Sequence, residues 1–170
     1  MDKAKNIWII NDKDELILVD KNNMKVKTFL PYASSTGNTT DQLYDLGVLE
    51  DQLYLFYRSG LLICYNLKSH QEIYRQKLPD ELPKGKYENT SYVVPGNNTF
   101  YQLRNGSQGG VMLNYDITRK KWNIVFQTDY RLNSLSIDKD SSIWVSCYMG
   151  LWNIDAGLIN KQYIPNLKLV

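Results

Sequence analysis

The chain carries one histidine and two cysteines in 170 residues. A zinc centre needs a cluster of imidazole, thiolate and carboxylate ligands, and such a pair of scarcities cannot supply one. The lone His70 lies in Lys68-Ser69-His70-Gln71, a polar turn between apolar runs. A Ser/His/Asp or Cys/His nucleophile would have to be assembled around that exposed loop residue, so catalysis is not expected and no catalytic residue is assigned. Cys64 and Cys147 sit in apolar runs without CxxC spacing and read as buried thiols, not as a disulfide framework or a metal site. Asp138-Lys139-Asp140-Ser141-Ser142 alternates oxygen ligands but lacks the central Gly and distal Glu of a calcium loop. Gly106-Ser107-Gln108-Gly109-Gly110 lacks the Lys-Ser/Thr of a phosphate-binding loop and reads as a flexible strand connection. No cofactor and no metal are expected.

Charge of one sign is also missing. Twenty Lys and Arg face 18 Asp and Glu, interspersed, for a net charge of +2. A nucleic-acid binder would show a basic stripe interleaved with stacking aromatics, and the longest basic cluster here is Arg119-Lys120-Lys121 in a turn. No nucleic-acid partner is expected. No apolar segment approaches the roughly 20 residues that span a bilayer, so no direct membrane contact is expected of this segment. The opening residues run into Ile7-Trp8-Ile9-Ile10 without the order of a secretory signal. The Asn-x-Ser/Thr sites at Asn38, Asn89, Asn97 and Asn105 are no more than chance supplies in an Asn-rich chain.

What the chain has in quantity is aromatic and β-branched residues, with 13 Tyr and 4 Trp, and these recur. An apolar-aromatic-apolar triplet, or something close to it, occurs at Ile7-Trp8-Ile9, Leu53-Tyr54-Leu55, Thr99-Phe100-Tyr101 and Ile143-Trp144-Val145, with aromatic spacings of 46, 46 and 44. After each comes a polar turn and a second β-rich run closed by Asp or Asn, at Asp20, Asn66, Asp116 and Asp155. A third strand then follows, and ahead of the last three triplets lies a further short run: Leu46–Leu49, Ser91–Val94 and Leu135–Ile137. The count is about fifteen strands, three in the first repeat and four in each of the others, with no amphipathic helix. A period of about 40–50 residues with four strands per unit is that of β-propeller blades.

The expected fold is therefore all-β: about four four-stranded blades, the first incomplete, spanning 1–170 with repeats at 1–44, 45–90, 91–132 and 133–170. A four-bladed ring, a half ring that pairs with a second copy and a piece of a larger seven- or eight-bladed ring all stay open. Trp8, Trp144 and Trp152 are read as packing between blades. In propellers ligands meet the loops at one end of the ring, here the turn after each triplet strand and the connection between blades, which hold 11–15, 32–41 and 79–89 among other segments. Tyr and Arg supply stacking faces and directed donors, which makes Arg58, Arg104, Tyr130, Arg131 and Tyr148 the candidate ligand-binding residues.

The fourth repeat, from Leu135 through Asp138-Lys139-Asp140-Ser141-Ser142-Ile143-Trp144-Val145-Ser146-Cys147 to Gly150-Leu151-Trp152-Asn153-Ile154-Asp155, resembles the two-component regulator propeller repeat. That pattern reads as an apolar strand, Asp-x-x-Gly, x-Ile-Trp-Ile-Gly-Thr, a turn, Gly-Leu, an aromatic and a closing Asp. Ser142 stands where the turn Gly is usual, and Ser146-Cys147 where Gly-Thr is usual. The resemblance implies the periplasmic sensing region of a hybrid histidine kinase, an oligosaccharide ligand, and either the remaining blades or a second copy as partner. A protein-interaction scaffold and a propeller carbohydrate-active enzyme are the alternatives.

Overall fold

A computed structural model describes residues 5–13, 15–29, 41–79, 81–82, 89–95 and 98–165, with the backbone alone at 29 and 89–94. Runs rich in Ile, Leu, Val, Tyr and Trp, bounded by Asx and Ser turns, form fifteen strands and no helix among these residues. They pair into four antiparallel meanders. The first contains β1 (Ile7–Ile10), β2 (Leu16–Val19) and β3 (Val26–Phe29). The second contains β4 (Leu43–Leu49), β5 (Gln52–Tyr57), β6 (Leu62–Asn66) and β7 (Glu72–Gln76). The third contains β8 (Asn89–Pro95), β9 (Thr99–Gly106), β10 (Gly109–Asp116) and β11 (Lys121–Thr128), and the fourth β12 (Leu132–Ile137), β13 (Ile143–Cys147), β14 (Gly150–Ile154) and β15 (Lys161–Pro165).

The sheets fall into two compact units, the first ending at Leu78 and the second beginning at Pro79. In the first, Trp8 and Leu16 of sheet one pack with Leu43, Leu53, Leu55, Tyr57, Ile63 and Tyr65 of sheet two. In the second, Leu103 and Met112 of sheet three pack with Leu132, Leu135, Ile143, Val145, Cys147 and Ile154 of sheet four. Each such side chain contributes about 1.5–3 kcal/mol when fully buried, so face-to-face sheet packing is what holds each unit together. Cys64 and Cys147 are buried thiols with no disulfide.

The turn between the last two strands of every sheet is organised by the Asp or Asn that closes the preceding strand. Asp20 accepts the backbone N–H of Asn22 at 2.8 Å, Asn66 those of Lys68 and Ser69 at 2.8 and 3.0 Å, Asp116 that of Arg119 at 2.9 Å, and Asp155 those of Ile159 and Asn160 at 2.8 and 3.2 Å. These are Asx turns, in which the side chain stands in for a backbone carbonyl. Each also holds a left-handed residue: Met24, His70, Lys120 and Leu158. His70, with φ of 55°, is such a turn residue, and its N–H donates to the Asn66 carbonyl.

Two details of the repeat differ from the sequence reading. Trp8 faces the second sheet, and Tyr54 and Trp144 face away from the sheet that precedes theirs, whereas Phe100 lies opposite the face on which Tyr101 and Leu103 meet the fourth sheet. Tyr101 is therefore the residue equivalent to Trp8, Tyr54 and Trp144, and the spacings become 46, 47 and 43. The turn geometry agrees: the left-handed residues Lys5, Asn98 and Ser141 stand three positions ahead of Trp8, Tyr101 and Trp144. The same geometry places the strained turn position at Ser141, with φ of 66°, and not at Ser142. Of the expected interblade packing, Trp8 is in the core, Trp152 packs against the core of the second unit, and Trp144 is half-buried on the other face of its sheet.

Candidate functional site

In the second unit, one end of the sheets gathers the β9–β10 turn, the β13–β14 turn and the connection from β11 to β12. Ser107 and Gln108 form a two-residue hairpin turn, because Gly106 and Gly109 still pair. The expected flexible connection is thus an ordered hairpin. Gly109 has φ of +123°, and a Cβ there would lie 2.1 Å from the Thr128 carbonyl oxygen. A Cβ on Gly110 would lie 2.7 Å from both Asn105 Oδ1 and Leu132 Cγ. The glycine pair is what lets the hairpin press against the 128–132 connection.

Asn105 fastens that contact. Its Nδ2 donates to the Leu132 carbonyl at 2.7 Å, and its Oδ1 accepts the Leu132 N–H at 2.8 Å. Only 4% of Asn105 is exposed, so this Asn-x-Ser site is not accessible to a glycosylating enzyme in the folded chain. The two bonds fix where β12 begins, and with it the preceding Tyr130 and Arg131.

Tyr130 stacks on Tyr163 of β15, with ring centroids 5.8 Å apart and planes 14° from parallel. Behind it the rings continue inward, Tyr163 to Trp152 at 5.0 Å and Trp152 to Phe126 at 5.2 Å. The Tyr163 hydroxyl donates to the Met149 carbonyl at 2.8 Å, tying the stack to the β13–β14 turn. Burial, then the neighbouring Cys147 and Tyr130, push the Tyr163 phenol up from its ordinary value, so it stays a donor. In that turn Tyr148 is 83% exposed and Met149 48%. The Trp152 indole N–H is buried without a hydrogen-bond partner.

Of the five candidate residues, three fall at this end. Tyr130 and Tyr148 flank the Tyr163 bridge, and the exposed Arg131 follows Tyr130. Arg58 belongs to the first unit, exposed just after β5, with its N–H donated to the Gln42 carbonyl at 2.8 Å. Arg104 is not a loop residue. The hairpin runs on to Gly106, so Arg104 pairs with Val111 inside β9 and is 1% exposed. Segments 32–40 and 83–88 lie outside the described residues. Tyr163 is not among the candidates drawn from the sequence, because it lies inside the last strand of its repeat and not in a turn. The signal was its register opposite Trp152, a cross-strand aromatic pair set only by the length of the Asp155 turn.

Chemically, the end of the second unit offers a braced aromatic face, with the exposed Arg131 next to Tyr130 in the chain, suited to stacking and directed hydrogen bonding. Among the described residues, no three His, Cys, Asp or Glu side chains converge as metal ligands.

The repeated four-stranded meander, its Asx turns and its face-to-face packing decide the architecture. The chain folds as β-propeller blades. No family model matches it, and no curated protein sequence does. Among solved structures it is similar to the extracellular domain of the putative hybrid two component system BT4673 from B. thetaiotaomicron, with TM-score 0.69 and 15% identity over 99% of this chain and 22% of that one. The corresponding domain of BT3049 from the same organism gives 0.67 and 12% over 97% and 20%. The β-propeller domain of Myceliophteria thermophila Cps50 (Swd1) gives 0.65 and 11% over 96% and 55%. The chain thus spans about a fifth of the length of those extracellular domains and about half of the Swd1 domain.

Proposed function

We propose that this chain is a ligand-sensing propeller segment of a two-component sensor, working outside the cytoplasm, and that its ligand is an oligosaccharide. The observation that carries the ligand reading is the Tyr130–Tyr163 stack beside exposed Tyr148 and Arg131. A sugar presents C–H faces that pack on aromatic rings and hydroxyls that accept from a guanidinium. The fold-level likeness to two-component extracellular domains supports the sensor part. Binding would act by shifting how neighbouring domains pack, and so signal to a histidine kinase.

Calorimetry against a panel of oligosaccharides tests this. Saturable heat without turnover, weakened about tenfold or more by Tyr130→Ala, and by Tyr148→Ala at unchanged melting temperature, is the expected result. Product formation would make the chain a carbohydrate-active enzyme instead, and binding indifferent to Tyr130 and Tyr148 would remove this site.

A different observation bears on what adjoins the chain. The outer face of the first sheet presents Ile7, Ile9, Ile17, Val19 and Val26 side by side, with Ile7, Ile9 and Val26 42%, 44% and 61% exposed. Such a face calls for apolar cover. The chain matches 55% of the Swd1 propeller domain, which supports further blades of the same kind as that cover over a second copy.

A further inference from the structure

At the other end of the third sheet, away from Tyr130, a recess of about 450 Å3 is lined by Asn98, Thr99, Asn114, Asp116, Thr118 and Arg119. It sits where Asn98, just ahead of β9, meets the β10–β11 turn, the Ile117 N–H donating to the Asn98 carbonyl at 3.1 Å. Its size is that of small-molecule sites.

The same position in the second sheet is bridged by its own side chains. There Tyr54 and Cys64 pair across β5 and β6, and both the Tyr54 hydroxyl and the Cys64 thiol donate to Gln52 Oε1, at 2.5 and 3.7 Å. The register equivalents in the third sheet are Tyr101 opposite Asn114 and Thr99 opposite Asp116. Thr99 is too short to take the part of Gln52, and its hydroxyl donates to the Tyr115 carbonyl at 2.8 Å. Asn114 Oδ1 is left buried with no hydrogen-bond partner. A buried acceptor without a donor costs roughly 1–3 kcal/mol, and because Asn114 lines the recess a turn of its amide would present that acceptor to a donor held there.

The remaining lining sets the class of that donor. Asp116 and Arg119 face each other at 3.8 Å, so the recess carries one charge of each sign and no net charge. A simple anion would meet Asp116, and a simple cation Arg119. A pair of adjacent hydroxyls fits both: one donates to Asn114 Oδ1 or the Asp116 carboxylate while the other accepts from Arg119. We infer that this recess binds a small neutral polyhydroxylated molecule through a vicinal diol. The site is independent of the Tyr130 stack and stands or falls apart from it.

The test is amide-resolved NMR of the whole chain titrated with methyl α-glucoside, glycerol, glycine and sodium sulfate. Saturable shifts with methyl α-glucoside at Asn98, the Asn114 side-chain amide, Thr118 and Arg119 are expected, with a dissociation constant on the order of millimolar. Asn114→Leu should weaken them about tenfold or more. Arg119→Ala, at a side chain 82% exposed, should do so without touching the fold. Shifts produced by sulfate or glycine in place of the diols, shifts that survive both substitutions, or no shift at saturating diol would overturn the assignment.

Discussion

Replacing Asn105 by Ala removes two hydrogen bonds and strands both backbone polar groups of Leu132, which is 0% exposed. A buried backbone group left without a partner costs about 1–3 kcal/mol, so the pair sets the loss at roughly 2–6 kcal/mol. For a chain of this size that corresponds to a fall of about 4–24 °C in melting temperature. Urea unfolding followed by tryptophan fluorescence is the assay, since Trp122, Trp144 and Trp152 all lie in the second unit. Asn105→Asp sharpens it. The carboxylate still accepts the Leu132 N–H but cannot donate to the Leu132 carbonyl, and a buried charge is added. Burial raises the pKa of that new carboxyl, so its ionised form costs stability at neutral pH. Relative to wild type, the loss should shrink as pH falls through the raised pKa and the protonated acid donates. A change below about 0.5 kcal/mol for the alanine variant, or an aspartate variant matching wild type at neutral pH, would refute the clamp.

Ser141→Gly should stabilise the chain by about 0.5–1 kcal/mol, read from the urea midpoint, because only glycine occupies φ of 66° without cost, and Ser142→Gly should not. Asn66→Ala, which deletes two Asx-turn bonds, should cost about 1 kcal/mol in the same assay. The carboxyls of Asp155, held by the Ile159 and Asn160 N–H groups, and of Asp140, held by Ser142, are lowered from 3.8. Depressed carboxyls stabilise above their unfolded value, so their contribution should be flat at neutral pH and disappear as pH falls below 3.8 through the folded values. Asp155→Asn should flatten that acid limb in a pH series of urea melts. Gly110→Ala should destabilise by about 1–3 kcal/mol, since its Cβ meets Asn105 and Leu132 at 2.7 Å.

Strand number and order were legible because they are written locally, in short alternating runs between Asx and Ser turns. Thr99-Phe100-Tyr101 shows the limit. Two adjacent aromatics satisfy the same pattern, and which of them faces the fourth sheet depends on the left-handed Asn98 and on packing that no local window contains. Arg104 fails for a related reason: charge suggested a loop, while the length of the β9–β10 hairpin, fixed by Gly109 and Gly110, put it inside a strand. At the candidate site Tyr130 and Tyr148 were visible as exposed aromatics in turns. Tyr163 was not, because its place against Tyr130 joins residues from the 128–132 connection and β15.

The side chain that organises the turn between the last two strands of each sheet has a wider consequence. Since Asp20, Asn66, Asp116 and Asp155 satisfy their turns with atoms only two to five positions away, the last hairpin of each sheet carries its own punctuation. Such a unit can be duplicated in tandem and still turn correctly, and the letters between the punctuation marks are then free to drift. That makes an architecture shared at 12–15% identity with the bacterial domains physically unsurprising. It also means that relatives are better sought by the rhythm of Asx residues and left-handed positions than by matching residues one for one.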